Sequence, residues 1–545
     1  QRRKIIMPTS DSASGTTHLE GAGFYQGYNK WISLSSKGII LLLIVWASTS
    51  DQAADMLARV QVVTISVFNS WYIIATASFM LICLLLALWP RTGKIRLGKP
   101  HERPEFSNFA WFSMMFGAGI GVGMLTYSTA EPIFHFVNNP DVILGNSDSL
   151  AANNVRNAYK WTLLHYGLTP WGCYGIVGMS MAYFSYHRNL PLTIRSPLSP
   201  LMVGRTSRIA GNVVDTAAIL ATVIGVGVTI GYGVTQFAFG IHRISGAEWI
   251  VNSAGKPTTE ALVLAVLVIM IASTISASSG VVRGIRWLSN INMVLSFVLL
   301  TCFVAFGAWA FAVEAFFTGI LDYLIALPSM STTVWHSGED TVQQALSAWQ
   351  GDWTIFYWAW WIAFTPFVGL FLSRVSRGRT IREYVVGAMI VPSLMCFTWF
   401  CIVGGTAIDL ELSGKANGAI TNSDLSAQLF TTISLLLDSQ GAFYLSVLSV
   451  MLLLTYLVTS ADSAVLVINT IASGGEKDVH NNKHVVIWGV IITGVITTLL
   501  TVGGLNALRS VMIIGALPFS LVMVLMVVSF LKALWNDRSE VHTAI

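Results

Sequence analysis

The chain has 545 residues, of which 54% are hydrophobic and 11% charged, with a net charge of +4. Soluble proteins carry about 25% charged residues, so this composition excludes a soluble globular enzyme, a disordered chain and a nucleic-acid binder. The apolar residues come in long runs: residues 68–90 and 485–508 contain no Asp, Glu, Lys or Arg, and each is long enough as a helix to cross a hydrocarbon layer of about 30 Å.

The chain opens on a polar tail, residues 1–31, with Arg2, Arg3 and Lys4 and no cleavable signal peptide. Twelve spanning helices are expected after it, at 32–50, 68–90, 106–136, 158–186, 209–242, 259–280, 285–318, 353–373, 384–406, 440–473, 485–508 and 510–534. Residues 320–352 are too polar to cross and read as an external loop, in which 340–350 form an amphipathic surface helix. With the N-terminus in the cytoplasm, 24 of the 31 Lys and Arg fall on the cytoplasmic side. Basic residues gather on that side of membrane proteins. The expectation is therefore a multi-pass protein of the bacterial plasma (inner) membrane with both termini cytoplasmic. The closing tail, 535–545, carries a single Arg538. That is too little positive charge to bind anionic lipid, so osmotic activation through this tail is not expected.

In the third span Gly117, Gly119, Gly121 and Gly123 alternate. Each costs roughly 1 kcal/mol of helix propensity relative to alanine, which predicts a break there. Thr365 and Pro366 predict a break at similar depth in the eighth span. Five spans run from the third to the seventh (106–318) and five more from the eighth to the twelfth (353–534). This is the pattern of an inverted repeat whose two leading helices are unwound at mid-membrane, with residues 32–90 as two extra N-terminal helices.

Aromatic residues concentrate beside these positions. The fourth span carries Tyr166, Trp171 and Tyr174, and the eighth has four tryptophans within nine residues. Trp353 reads as an interfacial anchor. Trp360, Trp361 and Phe364 lie too deep for that reading. A quaternary ammonium or sulfonium cation has no N–H to donate and is held by ring faces instead, at roughly 0.5–2 kcal/mol each. The tenth span offers Thr459 and Ser460, adjacent hydroxyls able to ligate a hard cation or to bond back to their own helix. Glu131 reads as lying outside the hydrocarbon, His165 as a buried, hydrogen-bonded histidine, and Asp462 as structural. Cys83, Cys173, Cys302, Cys396 and Cys401 lie singly in apolar runs and read as small buried hydrophobes. There is no phosphate loop, metal-ligand cluster or soluble signalling domain. A channel would need a continuous polar stripe, and none is seen.

The block from Asp352 to Trp361, followed by Pro366 and by Ser373 to Arg382, resembles the hallmark of the betaine/choline/carnitine transporters. Gly119 to Gly123 with Glu131-Pro132, His165 to Trp171, and Val458 to Ser463 are similar to three further motifs of that family. The resemblance implies a non-enzymatic secondary transporter with a LeuT-like all-α core in the third to twelfth spans, assembled as a homotrimer. It implies a substrate with a trimethylammonium- or dimethylsulfonium-like group, held by Tyr166, Trp171, Tyr174, Trp360, Trp361 and Phe364 together with Ala118, Gly119, Ile120, Gly121 and Gly123. The family's best-studied betaine pattern has Trp at positions 166 and 364, so dimethylsulfoniopropionate, choline, carnitine or another osmolyte could replace glycine betaine. No cofactor is implied beyond sodium as coupling ion, at Tyr456, Thr459, Ser460, Gly117 and Ile120. Thr222 is half of a second family sodium site whose other hydroxyl is replaced by Val226. Glycine at 123, where proton-coupled choline carriers have Asp, favours sodium coupling or sodium-independent exchange.

Overall fold

The computed structural model describes residues 23–119, 121–202, 204, 207–279, 282–475 and 482–543, with side chains for all of these except 116–119, 282–287 and 538–543. The described residues form helices and two isolated β-bridges. The helices are α1 (Lys30–Thr49), α2 (Ala53–Leu88), α3 (Asn108–Gly119), α4 (Val122–Val137), α5 (Pro140–Ile143), α6 (Val155–Tyr166), α7 (Leu168–Ala182), α8 (Ser207–Ser245), α9 (Thr259–Ser278) and α10 (Val282–Phe306). They continue as α11 (Trp309–Met330), α12 (Thr341–Gln350), α13 (Phe356–Val375), α14 (Ile381–Val385), α15 (Val391–Trp399), α16 (Gly405–Leu412), α17 (Gln428–Leu436), α18 (Ser439–Ala472) and α19 (Asn482–Thr543).

Among the described residues, ten helical segments are long and apolar enough to cross a membrane. They differ from the expected spans in informative ways. The third span is two helices, α3 and α4, because the chain is extended at Gly121 (φ −170°, ψ −175°). The fourth is split at Gly167, where a Cβ would lie 2.4 Å from the Tyr323 hydroxyl. The seventh does not reach residue 318. It stops at Phe306, and a separate 22-residue helix, α11, begins at Trp309 and runs on into the region read as loop. Gly307 marks the corner, where a Cβ would meet Thr406 Oγ1 at 2.3 Å. The amphipathic stretch at 340–350 is not a detached surface helix. It runs through a wide turn at Gly351–Ile355 into α13. The last two spans form one helical run, kinked at Gly503 and at Gly504 (φ +63°), and helix continues through the expected tail to Thr543.

The predicted break at Pro366 is absent: α13 is continuous. Proline removes one backbone donor, and the neighbouring Thr365 hydroxyl bonds the Trp361 carbonyl at 2.8 Å. Packing also supports the turn, since α13 lies between α7 and α8. Leu42, Leu88 and Ile325 on outer faces are each more than 70% exposed, whereas Trp171, Trp358 and Tyr357 are fully buried. Apolar residues facing outward in such number are those of a bundle solvated by lipid.

Candidate functional site

A cavity of about 710 Å³ sits where α3, α4, α6, α7, α8, α10, α13 and α18 converge. Tyr166, Trp171, Tyr174, Trp360, Trp361, Phe364, Gly121, Gly123, Tyr456, Thr459 and Ser460 all line it. Residues predicted from four separate stretches of sequence thus meet at one place. The Gly117–Gly119 part of the glycine motif, including Ala118, ends α3 beside it, and Ile120 lies outside the described residues. Thr222 is not part of it: its hydroxyl bonds the Ala218 carbonyl at 2.8 Å within α8. Thr229, two turns further along α8, does line the cavity.

The rings form a cage around Trp361. Its centroid lies 4.8 Å from Tyr174, 5.1 Å from Trp171 and 5.9 Å from Tyr166. Local chemistry sets these orientations. Pro170 lacks an N–H, which frees the Tyr166 carbonyl, and the Trp171 indole N–H donates to that carbonyl at 3.2 Å. Opposite the rings, α4 begins at Val122, directly after the extended Gly121. The first amides of a helix have no intrahelical acceptor, and Val122, Gly123 and Met124, which open α4, line the cavity. A helix N-terminus carries about half a positive charge. The cavity therefore offers ring faces to a cation and backbone amides to a carboxylate.

Trp360 belongs to a different group. It stacks on Tyr232 (5.8 Å), lies 5.5 Å from Phe356, and donates its indole N–H to Thr229 at 3.0 Å. Tyr127 and Tyr357 complete this stack. It closes the cavity on the side of Asp352 and Arg509. There the Arg509 guanidinium lies 4.8 Å from the Phe356 ring centre and donates to the Asp352 carboxylate at 2.8 Å. On the other side the lining runs out past Ser289 and Phe371 to Phe109, which is 84% exposed, at the start of α3, where Arg379 donates to Asn108 and to the Phe106 carbonyl.

On α18, Thr459 bonds the Thr455 carbonyl at 2.9 Å and accepts an N–H from Asn292 at 3.1 Å. The Tyr456 hydroxyl is 2.6 Å from Ser296. Asp462 accepts from Ser276 and Ser463, in keeping with a structural role.

One reading needs correction. Trp353 is no interfacial anchor: it is buried, 4.3 Å from Phe134 and 4.7 Å from His135. Glu131 is wholly buried within the protein. One of its oxygens meets His165 Nδ1 at 2.6 Å and His135 Nε2 at 3.3 Å, and the other accepts the Tyr357 hydroxyl at 2.5 Å. Glu131, His135 and His165 thus bring their ligand atoms within 4.8 Å of one another, a grouping that the sequence alone did not reveal. His135 lies one helical turn beyond Glu131, but His165 is 34 residues away. The spacing within α4 was the only available signal.

The profile of the BCCT, betaine/carnitine/choline family transporter, matches residues 31–539. The chain is 35% identical to the glycine betaine transporter OpuD of Bacillus subtilis, over 94% of this chain and 95% of that protein. It is 34% identical to glycine betaine transporter 1 of Vibrio parahaemolyticus, over 98% and 99% of the two chains. It is also 35% identical to the osmo-dependent choline transporter BetT2 of Acinetobacter baylyi, over 85% of this chain and 65% of that protein.

Proposed function

The chain belongs to the betaine/carnitine/choline transporter family, whose members are membrane transporters rather than enzymes, and we propose that it imports a zwitterionic quaternary ammonium or sulfonium solute by sodium-coupled alternating access. The observation that carries this reading is the cage: Tyr166, Trp171, Tyr174 and Trp361 converge on one cavity that the N-terminal residues of α4 also line. Ring faces hold the onium end, and the helix terminus receives the carboxylate. Three or four rings at roughly 0.5–2 kcal/mol each support micromolar-range binding after ordering costs. Glycine betaine, dimethylsulfoniopropionate and carnitine have both ends; choline has only one.

In this reading α1, α2, α8, α9, α10, α13, the run α14–α16 and α18, the two interrupted spans α3–α4 and α6–α7, and the two halves of the kinked α19 make up a twelve-helix, LeuT-like bundle, with α11 outside that count, and the bundle forms a homotrimer in the inner membrane with cytoplasmic termini. The cavity, closed beneath Arg509 and running out to Phe109, is the inward-facing stage of its cycle. Sodium sits between the carbonyls that end α3 and the hydroxyls of Thr459 and Ser460. It braces α3 against α18, so sodium and substrate favour each other's binding.

The test is substrate affinity and uptake in proteoliposomes, in sodium and in N-methylglucamine. Tighter binding in sodium, with the sodium requirement raised by Thr459→Ala and Ser460→Ala, is expected. Equal affinity and intact transport in both buffers would replace sodium symport with exchange.

A further inference from the structure

The cage has rings but no acidic side chain among its lining residues. The nearest acid in the hydrogen-bond network is Glu131, one phenol away. Tyr357 links the two: its hydroxyl donates to Glu131 at 2.5 Å and lies 3.5 Å from the Tyr166 hydroxyl, while its own side chain lines the cavity. Glu131 is held on three sides, by Tyr357, His165 and His135. Each neutral imidazole can give it one N–H, and the phenol gives one O–H. His165 then keeps its other nitrogen as acceptor for the Thr354 hydroxyl at 3.1 Å. Burial disfavours the charged form of a carboxylate, and donors aimed at its oxygens favour it; with neither histidine protonated, three donors can face Glu131. Among the described residues its ion-pair contacts are these two histidines alone, with no Lys or Arg.

We infer that Glu131 is a specificity-determining residue: a buried counter-charge that acts through Tyr357 and makes the cage prefer a cation over a neutral group of the same shape. Two effects follow from one placement. A fixed negative charge behind the rings attracts a cation in a low-dielectric interior, where water screens it little. A phenol that donates to a carboxylate also has a more electron-rich ring, which strengthens its attraction for an onium group. The inference rests on the transport reading above, because it presupposes that the cage takes an onium head.

The test compares glycine betaine with 3,3-dimethylbutanoate, in which a tert-butyl group replaces trimethylammonium at nearly constant shape. Competition binding to the purified protein gives a betaine-to-isostere affinity ratio for the wild type, Glu131→Gln and Glu131→Asp. Glu131→Gln is expected to lower this ratio about tenfold, with isostere affinity unchanged, the size of a modest charge interaction in a protein interior. Glu131→Asp keeps the charge and should keep most of the ratio. Equal losses for both ligands would mean that Glu131 only holds the cage in shape, and an unchanged ratio would mean that its charge is not felt; either overturns the inference. A wild type that binds no onium compound in the panel would instead overturn the transport reading.

Discussion

Trp360 and Trp361 are neighbours in sequence and serve two different regions. Successive residues on a helix point about 100° apart. Trp361 turns into the cage with Trp171 and Tyr174, while Trp360 turns into the stack with Tyr232 and Phe356 that closes the cavity toward Arg509. The cage is a binding surface: its rings meet mostly at steep angles and leave faces open to the cavity. The stack is a seal: Tyr232 and Tyr357 lie against Trp360, Tyr127 and Phe356 pack beside it, and its indole N–H is engaged by Thr229. One aromatic run on α13 therefore supplies both the grip on the ligand and the closure above it. Movement of α13 relative to α4 and α8 would alter the two together.

The predictions separate these regions. Trp361→Leu should cost at least about 30-fold in substrate affinity by removing the central ring of the cage, while folding is retained; calorimetric titration with a melting control checks both. A loss no larger than that from Trp360→Leu would erase the distinction. Arg509→Met removes the cation above Phe356 and its bond to Asp352, which is a partly exposed pair of modest worth. It should raise the rate at which an external thiol reagent labels Tyr232→Cys by about fivefold, with substrate affinity changed less than by Trp361→Leu. Unchanged labelling would mean that the seal stands without Arg509. Gly123→Ala sets a Cβ 3.3 Å from the Trp360 ring and should weaken binding about threefold by pressing the stack aside. Trp353→Leu should leave affinity nearly untouched and lower the melting temperature, because it opens a void beside Phe134 and His135 at a cost of about 2–4 kcal/mol.

Much of this was legible in the sequence because membrane helices must be long, apolar and internally hydrogen-bonded. The glycine motif was read correctly as a break, since residue 121 is extended and the helix restarts at Val122. Pro366 was read wrongly by the same logic. A single proline frees one carbonyl, and packing between α7 and α8 keeps the turn, whereas alternating glycines leave several residues without helical preference. Depth in the eighth span singled out Trp360, Trp361 and Phe364, and the family resemblance joined Tyr166, Trp171 and Tyr174 to them; all six line the cavity. Tyr127, Tyr232 and the Glu131 network were not legible, because they depend on contacts between spans far apart in the chain. The surroundings of Glu131 were hidden because its partners are remote in sequence: His165 and Tyr357 lie 34 and 226 residues away.

The most direct test of where the onium group binds is its position in a structure. The trimethylarsonium analogue of betaine, soaked into crystals of the protein, reports its own location through the anomalous signal of arsenic. The account predicts one arsenic peak within about 6 Å of the Trp361 ring centre, on the side of Trp171 and Tyr174. A peak among Trp360, Tyr232 and Phe356, or none in the cavity at an occupying concentration, would contradict it.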